Sequence, residues 1–323
     1  MIRDSYGVAR RRSPVMLYGA LRRIMVGYPA PAARHFTMQL FYDQRDDASH
    51  EARGSQILYW LDDLGALPLS EGKPDDTGFV FAGARPIDDY RRLVTRYPAL
   101  RDRPSEREPL LRLDHVLDAL NRAGVDVPTP RTWRVPLDAK LPDDLTFPLF
   151  VRTAFSSLKL GGHISKVRTR AQLESEMEEL RRALGWDALI LAREWYELSP
   201  AGQSVYGPVP QEVRTWVVDG TPHAWSFHYL NVVAEPEGFP PSPADLRALA
   251  ALSGRVGSAF RSRLVVADFA RDTRGHWIFI EAGPGSCAGT AHEHVFKSVA
   301  SRLRGEHNRF AGNETGGVFG GAG

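Results

Sequence analysis

A chain of 323 residues with 43% hydrophobic content is long enough to bury a sizeable core and to form about two domains. Its formal net charge of +2 is too small to argue for nucleic acid as a bulk electrostatic partner, and no run reaches the ~18 consecutive apolar residues of a membrane-spanning helix. One cysteine, Cys287, can form neither an intramolecular disulfide nor a thiolate metal cage, so a reducing, cytoplasmic setting is expected.

Residues 1–37 carry the basic cluster Arg10 to Arg12 and the pair Arg22 and Arg23, with scattered prolines and no clean apolar period. The two arginines interrupt apolar residues 15–26 and spoil them as a secretory segment, so a disordered basic arm is expected, with Met38 opening strand-like residues 39–42. Residues 38–110 then read as a small α/β unit. Residues 55–64 are helix-like and end at Gly65, residues 78–82 form a short buried strand, residues 87–97 are helical again, and polar residues 101–109 read as a linker.

Leucines and valines at helical spacing over residues 110–123 predict a helix that stops at Gly124, a C′ glycine. Strands are expected at 147–153, 164–167 and 188–192, with a helix over 170–184. A Pro- and Gly-bearing loop at 199–210 precedes strands at 213–218 and 223–228. A helix over 243–261 leads into the closing strands 264–270 and 277–281, turned at 272–275. The Gly-rich tail, 309–323, is expected to be disordered.

Four segments could carry chemistry. In the first, a strand delivers Arg152 into a turn with Ser156, Ser157, Lys159, Gly161 and Gly162. Small residues let backbone N–H groups approach an anion, and Arg152 and Lys159 supply charge for a triphosphate. The turn lacks the Walker pattern, which disfavours a P-loop, and a plain Ser/Gly-rich hairpin is the bland alternative. The second segment, residues 189–198, is an apolar strand that ends in Glu194, Trp195 and Tyr196; an ordinary buried strand would look the same.

In the third, alternation puts Glu212 and Arg214 on one strand face with Trp216, able to hold a ribose hydroxyl and a phosphate or simply to pair with each other. In the fourth, two apolar strands joined by a Gly-containing turn can bring Asp268 and Glu281 together, and hard carboxylate oxygens are what Mg²⁺ requires. Two rival readings carry less weight. Cys287 in Gly-Ser-Cys-Ala-Gly mimics a nucleophile elbow but has no assignable partner, and His292 and His294 diverge on a helix, which spoils them as ligands alongside Cys287.

In order and chemistry, the four segments resemble the ATP-grasp superfamily over roughly residues 111–305. Arg152 stands where most members have lysine, which points to a clade with arginine at nucleotide-site lysines, and Arg112 lies near another basic position of the family. The resemblance implies an α/β (α+β) fold of two α+β lobes clasping ATP, here 111–308, preceded by the small α/β domain of 38–110. It implies ATP and Mg²⁺ as cofactors. Arg152, Ser156, Ser157, Lys159, Gly161, Glu194, Trp195, Tyr196, Glu212 and Arg214 would bind the nucleotide, Arg214 and Lys159 would be catalytic, and Asp268 and Glu281 would hold the metal. The implied activity joins a small-molecule or peptide carboxylate, activated as an acylphosphate, to an amine, with neither nucleic acid nor membrane as partner and no oligomeric state indicated. Gly283 occupies the position of a metal-binding Asn of the family, so the alternative is a catalytically weakened nucleotide-binding or regulatory protein.

Overall fold

The computed structural model describes residues 38–43, 60–61, 63–82, 86–136, 138–154, 165–184, 189–204, 207–229, 233, 236–290, 292–306 and 316–319. All of these fall in one compact unit, Thr37–Gly323. The expected arm at 1–37 and most of the helix expected at 55–64 lie outside the described residues, as does the turn with Ser156, Ser157, Lys159 and Gly161. No helix among the described residues is long and apolar enough to cross a membrane.

A parallel three-stranded sheet comes first, ordered β2-β1-β3, from β1 (Gln39–Tyr42), β2 (Leu67–Pro68) and β3 (Gly78–Phe81). Helix α1 (Ile87–Arg96) covers one face with Tyr90, Leu93 and Val94. Helix α2 (Leu113–Arg122) follows, and Gly124 takes the left-handed φ of 64° that its C′ position favours.

An antiparallel sheet ordered β4-β7-β5-β6 comprises β4 (Thr132–Pro136), β5 (Leu149–Thr153), β6 (Ser165–Val167) and β7 (Leu189–Glu194). Leu149, Val151, Ile190 and Ala192 alternate onto the face covered by Leu173 and Met177 of α3 (Arg170–Leu184). The opposite face carries Arg152, Lys166 and Arg193 (register Phe150 with both Lys166 and Arg193, and Arg152 with Leu191).

The central sheet is antiparallel, ordered β13-β12-β10-β11-β14, from β10 (Glu212–Val218), β11 (Thr221–Phe227), β12 (Leu264–Arg271), β13 (Trp277–Pro284) and β14 (Gly316–Val318). Asp219 at φ 50° and Gly220 at φ 75° turn β10 into β11, the positive-φ pair that a two-residue hairpin needs. One face buries Val213, Val217, Val265 and Ala267 against α4 (Pro243–Ser258), whose Ser242 and Asp245 form a capping box. On the other face, Trp216, Val218 and Val266 pack against Phe296 and Val299 of α5 (Glu293–Leu303), together with Leu40, Phe79 and Phe81. The core therefore crosses the boundary expected at residue 110.

Two expectations are corrected. The loop expected at 199–210 is a two-stranded ribbon, β8 (Pro200–Ser204) with β9 (Gly207–Pro210). Each strand of a ribbon keeps an open edge, and a proline whose nitrogen faces that edge costs no ladder hydrogen bond. Within the tail expected to be disordered, β14 pairs with Ala224, Trp225 and Ser226. A Cβ on Gly316 would come to 3.0 Å from Val295 Cγ2 and 3.2 Å from the Trp225 carbonyl. The glycine content that reads as disorder is here what allows the strand to dock.

Candidate functional site

The site begins with a register shift in the β12–β13 hairpin. Strict alternation would put Glu281 with Trp277 and Phe279, which face the apolar core. Instead Phe269 pairs with Phe279 and Asp268 with Glu281, so Ile280 is an extra residue, a β-bulge. Cross-strand partners share a face, so the bulge is what places Glu281 beside Asp268. Ala282 then returns to the core, and Gly283 falls on the site face.

Strand β10 pairs Arg214 with Asp268 and Glu212 with Ala270, which puts Glu212, Arg214 and Asp268 on that same face, with Trp216 further along. Arg214 grips Asp268 as a fork, Nε to Oδ1 at 2.9 Å and Nη2 to Oδ2 at 2.8 Å, and its Nη1 donates to the Gly289 carbonyl at 2.7 Å. Burial opposes the guanidinium's charge, but the adjoining carboxylate of Asp268 outweighs it, so the Arg214 pKa is raised. His228 and Tyr229 follow β11. The His228 imidazole lies 3.8 Å from Glu212, and the Tyr229 hydroxyl donates to Glu212 at 3.2 Å. Burial and the Glu212 charge push the Tyr229 pKa up, so the phenol keeps the proton it donates.

The four-stranded sheet contributes cations. Arg152 on β5 donates to Glu281 Oε2 at 2.6 Å, so the residue expected on phosphates holds a carboxylate of the hairpin here. Arg193 on β7 is buried and donates to the Ile280 carbonyl at 2.7 Å, the Phe279 carbonyl at 3.4 Å, and the hydroxyls of Thr129 and Thr132 at 3.2 and 3.3 Å. Burial and the nearby Arg152 charge lower its pKa to about 9, which still leaves it protonated at neutral pH. Lys166 lies 4.2 Å over the Trp195 ring and 2.7 Å from Glu197.

At the end of β7, the Glu194 amide donates to the Arg131 carbonyl and the Trp195 amide to the Pro148 carbonyl. Those two amides are thus committed within the protein rather than presented to a base. Arg112 forks onto Asp114 at 3.0 Å through both Nε and Nη2. Burial works to raise the Asp114 pKa, but the guanidinium wins and lowers it.

Asp268, Glu281 and Glu212 present hard oxygen donors on one sheet face, a set that suits Mg²⁺ bridging phosphates, and Gly283 adds no donor. Cys287 does not fit a nucleophile. Burial pushes its pKa up, away from the thiolate, and its Sγ sits 3.3 Å from the Pro284 carbonyl. His292 precedes α5 while His294 lies in its first turn, where its ring nitrogen meets the Gly316 carbonyl at 3.1 Å. Reasoning from sequence missed Arg193 and His228. An arginine inside an apolar strand and a histidine one residue past a strand's end were the only signals.

An antiparallel central sheet meeting a smaller four-stranded sheet through Arg152 and Arg193 is the α+β architecture of an ATP-grasp protein. Residues 131–303, more than half of the chain, match the family described as ATP-grasp domain, R-2-K clade family 3, and the chain belongs to that family. Its fold is similar to that of D-alanine–D-alanine ligase from Bacillus anthracis complexed with ATP (TM-score 0.54, 14% identity, 78% of this chain and 87% of that chain). A second structure of that ligase gives TM-score 0.56 and 16% identity over 83% of this chain and 99% of that chain. The RimK domain protein ATP-grasp from Sphaerobacter thermophilus gives 0.55 and 15% over 83% and 98%. No curated protein matches the sequence.

Proposed function

We propose that this protein is an ATP-dependent ligase that activates a carboxylate for attack by an amine, forming an amide or peptide bond. The observation that carries the reading is the convergence of Arg152, Arg214, Asp268 and Glu281 from two sheets onto one face. Bound ATP would supply the phosphoryl group, and Mg²⁺ the charge that its oxygens need. Asp268 and Glu281 would hold the metal, while Arg152, Arg214 and Lys159 would hold the phosphates. The ion pairs Arg152–Glu281 and Arg214–Asp268 keep these four side chains oriented and neutralised. Both substrates would be small molecules or peptides in a reducing, cytoplasmic setting.

Two measurements test this. Millimolar ATP with Mg²⁺ should raise the melting temperature, because a ligand selective for the native state stabilises it by mass action. A screen of carboxylates and amines should find pairs that trigger ADP release. No thermal shift at all would remove the nucleotide site. Gly283, which offers the metal no side-chain donor, favours a second reading: a nucleotide-binding protein with weakened catalysis. That reading predicts a thermal shift with no ADP release for any pair.

A further inference from the structure

We propose that Glu212, His228 and Asp268 form a divalent-metal site in which His228 supplies an imidazole ligand that shifts preference from Mg²⁺ to a first-row transition ion such as Mn²⁺. The inference rests on the proposed function only in sharing Asp268 with the metal that would serve the nucleotide. It goes further by naming a nitrogen ligand outside the oxygen set and the ion class that this ligand selects.

The three side chains come from separate places in the central sheet, and backbone pairing fixes all three. Glu212 opens β10, Asp268 lies on β12 two register positions away, and the His228 amide donates to the Glu212 carbonyl at 2.9 Å. One ligand atom from each lies within 4.8 Å of the others. Ligands about 2.1 Å from a six-coordinate ion sit about 3 Å apart when adjacent and about 4.2 Å apart when opposite. Side-chain adjustments of well under a rotamer jump would therefore close the set.

Neighbouring groups already orient the two carboxylates. Tyr229 donates to Glu212 Oε2, and Arg214 occupies one lone pair on each Asp268 oxygen, which leaves the others for an ion. Asp268 is 2% exposed, and the side chains of Glu212 and His228 are 9% and 20% exposed, so the set is sheltered yet reachable. Mg²⁺ strongly prefers oxygen ligands, whereas first-row transition ions also accept imidazole, so a mixed set discriminates between them.

The test titrates Mn²⁺ into the full chain, following free Mn²⁺ by electron paramagnetic resonance and bound Mn²⁺ by electron spin-echo modulation. The expected result is ¹⁴N modulation from a directly bound imidazole. His228→Gln should abolish it and weaken Mn²⁺ binding by roughly 10-fold or more, while Mg²⁺ binding changes by less than about 3-fold. If His228→Gln does not fold, the ¹⁴N signal of the wild-type protein decides. Bound Mn²⁺ with no ¹⁴N modulation, or unchanged Mn²⁺ affinity in a folded His228→Gln, overturns the site. If ATP still raises the melting temperature in that case, only the imidazole site has failed. If neither Mn²⁺ nor ATP binds, this inference and the proposed function fall together.

Discussion

The two sheets that supply the candidate site do so with opposite chemistry. The central sheet gathers the carboxylates Glu212, Asp268 and Glu281 on one face around Arg214, whereas the four-stranded sheet presents the cations Arg152, Lys166 and Arg193. Within the second set, two arginines play different parts. Arg193 directs its donors at backbone carbonyls, among them that of the bulge residue Ile280, and at the side-chain hydroxyls of Thr129 and Thr132. Arg152 holds one carboxylate at the face itself, where a competing anion could take it over. The contrast separates an arginine that builds the site from one that is poised to act in it, although both lie on adjacent strands.

Replacing the building arginine should give the largest effect. Arg193→Met would remove the donor from the half-buried Ile280 carbonyl and leave the Phe279 carbonyl only the long contact with the Thr129 hydroxyl, at a cost of about 3 kcal/mol. Arg152→Met breaks one sheltered ion pair and should cost less, about 1–2 kcal/mol of stability, yet raise the ATP concentration needed for half-saturation. Urea midpoints alongside nucleotide titrations measure both, and equal stability losses would erase the distinction between the two arginines.

Next in size is the far edge of the central sheet, where His292 is 2% exposed and its Nε2 has no hydrogen-bond partner among the described residues. Burial lowers its pKa from 6.5 to about 4. The native state therefore stays neutral where the unfolded chain takes up a proton, so this contribution is complete above pH 6.5 and lost as pH falls toward 4. The loss amounts to about 2–3 kcal/mol. Asp102 slopes the other way, since burial raises its pKa to about 6, but it is common to wild type and His292→Gln and cancels in their difference. Unfolding curves of both proteins at pH 4.5 and pH 7 should show the wild type losing about 2–3 kcal/mol more stability between the two pH values than His292→Gln does.

On the carboxylate side, Glu281→Gln keeps size and hydrogen bonding while removing charge, and should lower turnover roughly 10- to 100-fold with the fold intact. Were Glu281 only a partner for Arg152, stability would change by about 0.5 kcal/mol and activity would not move. Gly283→Asn tests the same face from the other side. The backbone there is outside the left-handed region, and a Cβ would meet nothing closer than Val266 Cγ2 at 3.9 Å. The variant should fold as the wild type does and need a few-fold less Mg²⁺ for half-maximal activity. Smallest of all, Cys287→Ser should leave nucleotide binding and turnover within about 2-fold, because a hydroxyl can keep the contact to the Pro284 carbonyl.

Much of this protein was legible in one dimension. Alternation and turn residues located β10, β11, β12 and β13, put Glu212 and Arg214 on one face, and ordered the four segments that resemble ATP-grasp proteins, because strand periodicity and glycine turns are local properties. Tertiary structure alone decided the bulge at Ile280, without which Glu281 would point into the core with Phe279. Only the fold could show that Arg193 reaches carbonyls 86 and 87 residues away, that His228 comes to 3.8 Å from Glu212, and that glycines of the tail form a strand. Each of these depends on register between distant strands, and register follows from which side chains fill a shared core, a quantity that no local window of sequence contains.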